Sequence, residues 1–155
     1  MKASGFHELA GRLAAGSLAA DARSSISRSY YAVYHTAIVV VASERIVIPG
    51  RGEAHSKLGQ LLCGCEDEEV AAVGLELGNL SRQRTHADYD LDDSSVETLR
   101  RAYFLWLVAQ DLLQRIQDWG TQARRAAIGQ TLREYALVLG LDVLPAPAPP
   151  PPRSP

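Results

Sequence analysis

The stretch from Asp21 to Arg45, DARSSISRSYYAVYHTAIVVVASER, constrains the fold more than any other part of the chain. Its apolar positions Ile26, Tyr30, Val33, Ala37 and Val40 recur at steps of three and four residues, the spacing of one helix face. The IVVV run at 38–41 has strand propensity. No turn signal separates it from the helical pattern, so continuity favours one long helix, starting at Ser17 or Asp21. A helix of that length draws its stability from burying a face against other elements.

The remaining chain supplies helices for it to pack on. Phe6, Leu9, Ala10 and Leu13 mark a short amphipathic helix that stops near Gly16. Pro49-Gly50 breaks the chain, and a short helix is expected from His55 to Leu62. Another is expected from Asp67 to Tyr89, its first turn carrying acidic residues that suit the positive end of the helix dipole. Ser94 and Glu97 have capping-box spacing, which opens a helix running to Trp119. Gly120 and Thr121 interrupt, and a last helix extends to about Leu139, with Gly140 as its stop. There is no internal repeat and no strand-turn-strand pattern. The expected class is all-α, a five- to six-helix antiparallel bundle. Tyr103 to Ala109 is apolar in nearly every position, so that helix is surrounded by protein. It lies either at the bundle centre or in a homodimer, and a homodimer is the expectation.

Composition sets the boundaries. Of 155 residues, 46% are hydrophobic and 22% charged, which argues against global disorder. Seven of the eight prolines lie between Pro145 and Pro155. The expected division is a bundle over 1–120, an added helix over 121–140 and a proline-rich disordered tail over 141–155. The net charge of −2 gives no global basic field for nucleic acid or membrane. The acid-rich stretch 66–97 contains two basic residues, Arg82 and Arg84, and both it and the arginine-rich stretch 100–133 read first as solvated faces. Cys63 and Cys65 have no second pair, so neither a metal site, a cofactor nor a disulfide is expected. The N-terminus has no apolar run for a signal peptide, and the apolar stretches fall short of the ~20 residues that span a bilayer. No membrane partner and a cytoplasmic location are expected.

Two groups of residues carry chemistry. On the long helix, Arg28 and His35 lie seven residues apart, close to two turns, with Tyr31 between them and Ser24 one turn before. The segment SRQRTHADYD gathers Arg82, Arg84, His86, Asp88 and Tyr89. Arginine binds phosphate through paired hydrogen bonds, and histidine moves protons near neutral pH. Those are the parts of metal-free phosphodiester cleavage. The same residues also fit an internal polar network, with Arg28 bonded to Asp88, that fixes helix register and does no chemistry. His7 and His55 have no partner in sequence and read as surface or loop residues.

Three ordered segments resemble one branch of the HEPN domains (the higher eukaryotes and prokaryotes nucleotide-binding domains). They are Arg28 to His35 (RSYYAVYH), AHSKL at 54–58, and RTHADYD with Arg84, Ala87, Asp88 and Tyr89. The resemblance implies a dimeric helical bundle and, in many members, a ribonuclease with a motif of Arg, four to six residues, then His. Many bacterial members are toxins paired with a minimal nucleotidyltransferase antitoxin. Here Arg82 and His86 enclose three residues, whereas Arg28 and His35 enclose six but lie on the earlier helix.

Three functions follow. The first is a metal-independent ribonuclease, with His86 or His35 as acid or base, Arg84 or Arg28 holding phosphate, and Asp88 and Tyr89 orienting them. Tyr31, Arg82 and Tyr89 would then contact RNA or nucleotide. The second is a non-catalytic nucleotide- or partner-binding module. The third is a structural dimer with a buried polar network.

Overall fold

The computed structural model describes residues 2–50, 52–119 and 122–145. It is an all-α bundle, as the periodicity requires. Among the described residues there are six α-helices: α1 (Ala3–Ala14), α2 (Ala19–Ser43), α3 (Ala54–Cys63), α4 (Glu68–Tyr89), α5 (Leu99–Trp119) and α6 (Gln122–Val138). None is long and apolar enough to cross a membrane.

The long helix α2 packs against α1, α4 and α5. Small residues permit that. From Ser25 to Tyr34 every residue is buried except Arg28 and Tyr31. Ser25, Ser27, Ser29, Ala22, Ala32 and Ala37 let neighbouring backbones approach. Ser25 satisfies its hydroxyl on the carbonyl of Ala10 in α1 at 2.9 Å. Between α3 and α4 the approach is closer still. A Cβ on Gly74 would stand 2.7 Å from the backbone nitrogen of Cys63.

Side chains fix the helix ends. Asp21 accepts from the backbone nitrogens of Ser17 and Leu18, both at 3.0 Å, and so closes the turn between α1 and α2. Asp67 caps α4 by accepting from Glu69 and Val70. The expected capping box at Ser94 opens something smaller. Ser94–Val96 is a single 3-10 turn capped by Asp93, and α5 begins at Leu99. Glu97 is not free to cap, because its carboxylate takes Arg23 of α2 at 2.9 Å.

The last helix belongs to the same core, to which it contributes Ile128, Leu132 and Ala136. Arg124 pairs with Asp67, and Arg125 and Arg133 pair with Glu44. Beyond α6 the chain turns at Gly140 (φ 69°). Two short strands, β1 (Ile46–Val47) and β2 (Asp142–Val143), then pair antiparallel. The tail expected from 141 therefore starts later. Leu141 is buried and 142–143 are paired, whereas 146–155 lie outside the described residues. Two-residue strands so far apart in sequence leave no alternating pattern to read.

Arg23 pins the loop after α4. Its guanidinium donates to the carbonyls of His86, Ala87, Asp90, Leu91 and Asp93 at 2.8–3.4 Å, besides the Glu97 carboxylate. It thereby gathers the carbonyl of Ala87, in the last turn of α4, with those of the loop that follows. Its side chain is 12% exposed, so little water could replace it. Arg23→Ala should cost about 1–2 kcal/mol in urea unfolding, because several half-buried and exposed acceptors lose their shared donor at once. Arg23→Lys should recover little of it, since one ammonium cannot span a planar fork of acceptors. A loss below about 0.5 kcal/mol for Arg23→Ala would show that the loop holds itself.

Candidate functional site

Because α2 is buried on most sides, it presents a narrow strip: Ser24, Arg28, Tyr31 and His35, one helical turn apart. This is the stripe that the sequence spacing marks. The helix α4 passes beside it and contributes Arg84, Asp88 and Tyr89. The N-terminal turn of α3 adds His55, and α1 adds Phe6.

Tyr31 is the centre. Its hydroxyl accepts from Arg84 Nη2 at 2.7 Å. Both Arg28 and Arg84 lie over its ring, at 5.4 and 5.3 Å from the centroid. Arg28 also covers Phe6. Arg84 stacks on Tyr89 and donates to its hydroxyl at 3.4 Å. Its Nε stands 2.9 Å from Asp88 Oδ2, an ion pair rather than an aligned hydrogen bond. Ser27 donates to the same carboxylate oxygen at 3.2 Å. The expected pairing of Arg28 with Asp88 is thus replaced. Arg84 and Ser27 take the carboxylate, and Arg28 rests on aromatic faces. Burial alone would lower the Arg84 pKa. The charge of Tyr31 and its hydrogen bond, then Asp88 and Tyr89, outweigh that and raise it.

The histidines divide. His35 stacks on Phe6 at 5.2 Å and on Tyr31 at 5.9 Å. It lines a surface hollow of about 420 Å³ with Phe6, Lys2 and Ile38. Burial lowers its pKa. His55 packs at a tilt on the Tyr34 ring, with centroids 4.2 Å apart, and its Nδ1 lies 2.5 Å from the Tyr30 hydroxyl. Burial lowers the His55 pKa, and the charges of Arg84 and His35 lower it further. The Tyr30 phenol is pushed up to about 12, mainly by burial, against a hydrogen bond from Ser81. The phenol therefore keeps its proton at neutral pH. Where it donates to Nδ1, the N–H of neutral His55 lies on Nε2 and is free to donate.

His86 and Arg82 stand apart. His86 lies two positions from Arg84, close to the opposite side of α4. Its Nδ1 pairs with Asp93 Oδ2 at 2.9 Å. Arg82 is exposed and donates to Asn79 one turn away. His86, Asp90 and Asp93 place one ligand atom each within 4.8 Å of one another, a donor set that suits a divalent ion. Asp93 already accepts from Ser95 and meets His86, which together hold its pKa down to about 2.

Sequence reading thus finds Arg28, Tyr31, His35, Arg84, Asp88 and Tyr89 in one cluster. It misses His55, Tyr30, Tyr34 and Phe6. The signal for His55 was its place in AHSKL, one of the three segments that carry the resemblance. His7 also has a partner, the ring of Trp106 stacked at 5.3 Å.

Burial holds His7, His35 and His55 below the ordinary 6.5. Below pH 6.5 the unfolded chain then binds more protons than the folded one, so stability falls as pH falls through that window. Urea midpoints measured from pH 7 down to about pH 5 should drop, and His55→Gln should remove part of the drop. A midpoint that does not move over that range contradicts the neutral, packed histidines.

Comparison of the chain with models of protein families, with curated proteins and with solved structures finds no match.

Proposed function

We propose that the protein is a HEPN-like, metal-independent ribonuclease whose site is the Tyr31-centred cluster. One observation supports this reading most. Two histidines and two arginines, from three helices, converge on one aromatic platform.

The chemistry assigns each residue a part. Arg84 and Arg28 hold a phosphodiester of RNA, and Tyr31 and Phe6 offer faces on which unpaired bases stack. His35 takes the proton of the ribose 2′-hydroxyl. The 2′-oxygen bonds to phosphorus and the bond to the 5′-oxygen breaks, with water supplying the leaving oxygen's proton. The Nε2–H of His55 and the Arg84 guanidinium stabilise the charge that develops on the phosphoryl oxygens. Asp88 keeps Arg84 oriented. A cytoplasmic toxin held in check by a minimal nucleotidyltransferase is the setting that fits the resemblance.

A second reading has one observation in its favour. Arg84 already engages Tyr31, Tyr89 and Asp88. An arginine so saturated also suits a module that binds nucleotide or a protein partner without cutting RNA.

The test is cleavage of single-stranded RNA by the pure protein in EDTA. His35→Ala and Arg84→Ala should each lower the rate by about a hundredfold or more, and His86→Ala should leave it near wild type. RNA that binds without being cut favours the second reading. No binding, or a loss specific to His86→Ala, overturns the assignment of the site.

A further inference from the structure

A second constellation lies where α4 ends, apart from the Tyr31-centred cluster. His86 and Asp90 are four positions apart, and the backbone nitrogen of Asp90 donates to the His86 carbonyl at 3.1 Å. The helical step therefore persists through Asp90 and sets its carboxylate one turn beyond the imidazole, on the same face. That spacing lets two side chains of one helix reach a single metal ion. The chain then turns, with the nitrogen of Asp93 donating to the carbonyl of Asp90 at 3.3 Å, and Asp93 joins the other two.

The geometry is close to that of a bound ion. Each of the three residues offers one ligand atom, and these atoms all lie within 4.8 Å of one another. Asp93 Oδ2 stands 2.9 Å from His86 Nδ1, while its Oδ1 accepts from the backbone nitrogen of Ser95. Ligand atoms bonded to one ion at about 2.1 Å stand about 3–4 Å apart, so a small side-chain shift closes the set. The backbone beneath is already held, because Arg23 takes the carbonyls of His86, Asp90 and Asp93. The charge of Arg23 is met by Glu97 at 2.9 Å, so it opposes a cation little.

The donor atoms select the ion. Two carboxylates offset a divalent charge. An imidazole nitrogen suits zinc, nickel or cobalt, whereas magnesium and calcium take oxygen ligands. The His86 side chain is 52% exposed, so water completes the coordination.

We propose that His86 Nδ1 and the carboxylates of Asp90 and Asp93 bind a divalent transition-metal ion of the zinc class. The ion ties the last turn of α4 to the loop before α5, and it leaves the N–H of neutral His86 on Nε2. His86 lies nearly opposite Arg84 on α4, so the site stands whichever way the protein handles RNA.

Calorimetric titration of zinc chloride into the intact, chelator-stripped protein tests it, together with nitrogen-correlated NMR of the histidines. One ion per chain should bind with a dissociation constant of about 0.1 mM or below. The His86 Nδ1 signal should move, and those of His7, His35 and His55 should not. Asp90→Asn and His86→Ala should each weaken binding by about tenfold or more. Both side chains are exposed, so the helical circular dichroism should not change. Cys63→Ser, which removes an exposed thiol, should bind zinc as wild type does. Zinc that binds both site variants as tightly as wild type, or that is lost in Cys63→Ser, overturns the proposal. So does the absence of heat and of NMR change at about 1 mM zinc. Magnesium binding as tightly as zinc overturns the ion class.

Discussion

The burial of α2 on most of its surface is the constraint from which the other features follow. Against α1, α4 and α5 the helix sets small residues, the Ala and Ser between 22 and 37, among the larger Ile26, Tyr30, Val33 and Tyr34. Enclosure leaves one open strip. Any polar group on α2 that is to meet solvent or ligand must stand there, and Arg28, Tyr31 and His35 do. The cluster is therefore a by-product of packing in its position and a matter of chemistry in its composition.

Two arginines complete it in different ways. Arg23 is spent on backbone carbonyls at the end of α4 and fixes where that helix stops. Fixing that end also fixes the face of α4 that carries Arg84 and Asp88 towards α2. Arg84 is held by aromatic oxygens and one carboxylate, with a face on the Tyr31 ring. The two hydroxyls hold the guanidinium in place without offsetting its charge, which only the Asp88 carboxylate opposes. That positive charge also favours neutral His55.

Much of this was legible in the residues. The period of apolar positions gave the helices, and the seven-residue spacing of Arg28 and His35 gave the strip. Those signals are local in sequence. Contacts formed between distant segments left no such trace. The capping box at Ser94 failed because Glu97 is claimed by Arg23, on a helix more than seventy positions earlier. His55 looked partnerless because Tyr30 and Tyr34 reach it from α2. The pairing of β1 with β2 joins segments nearly a hundred positions apart and rests on two residues in each. His86 is adjacent to the cluster in sequence but not in space, because two steps along a helix turn a side chain to nearly the opposite side.

The central claim is that phosphate binds where His35, His55 and Arg84 converge. Nitrogen-correlated NMR of the histidine side chains, recorded at pH 7 while a single-stranded 2′-deoxy oligonucleotide is added, tests it most directly. This probe carries the phosphodiester but no 2′-hydroxyl to react. The account predicts that free His55 shows the neutral tautomer with its proton on Nε2. It also predicts that the His35 and His55 signals move together on titration while His86 stays still. Movement of His86 alone, or no movement of His35 and His55 at saturating probe, would contradict it.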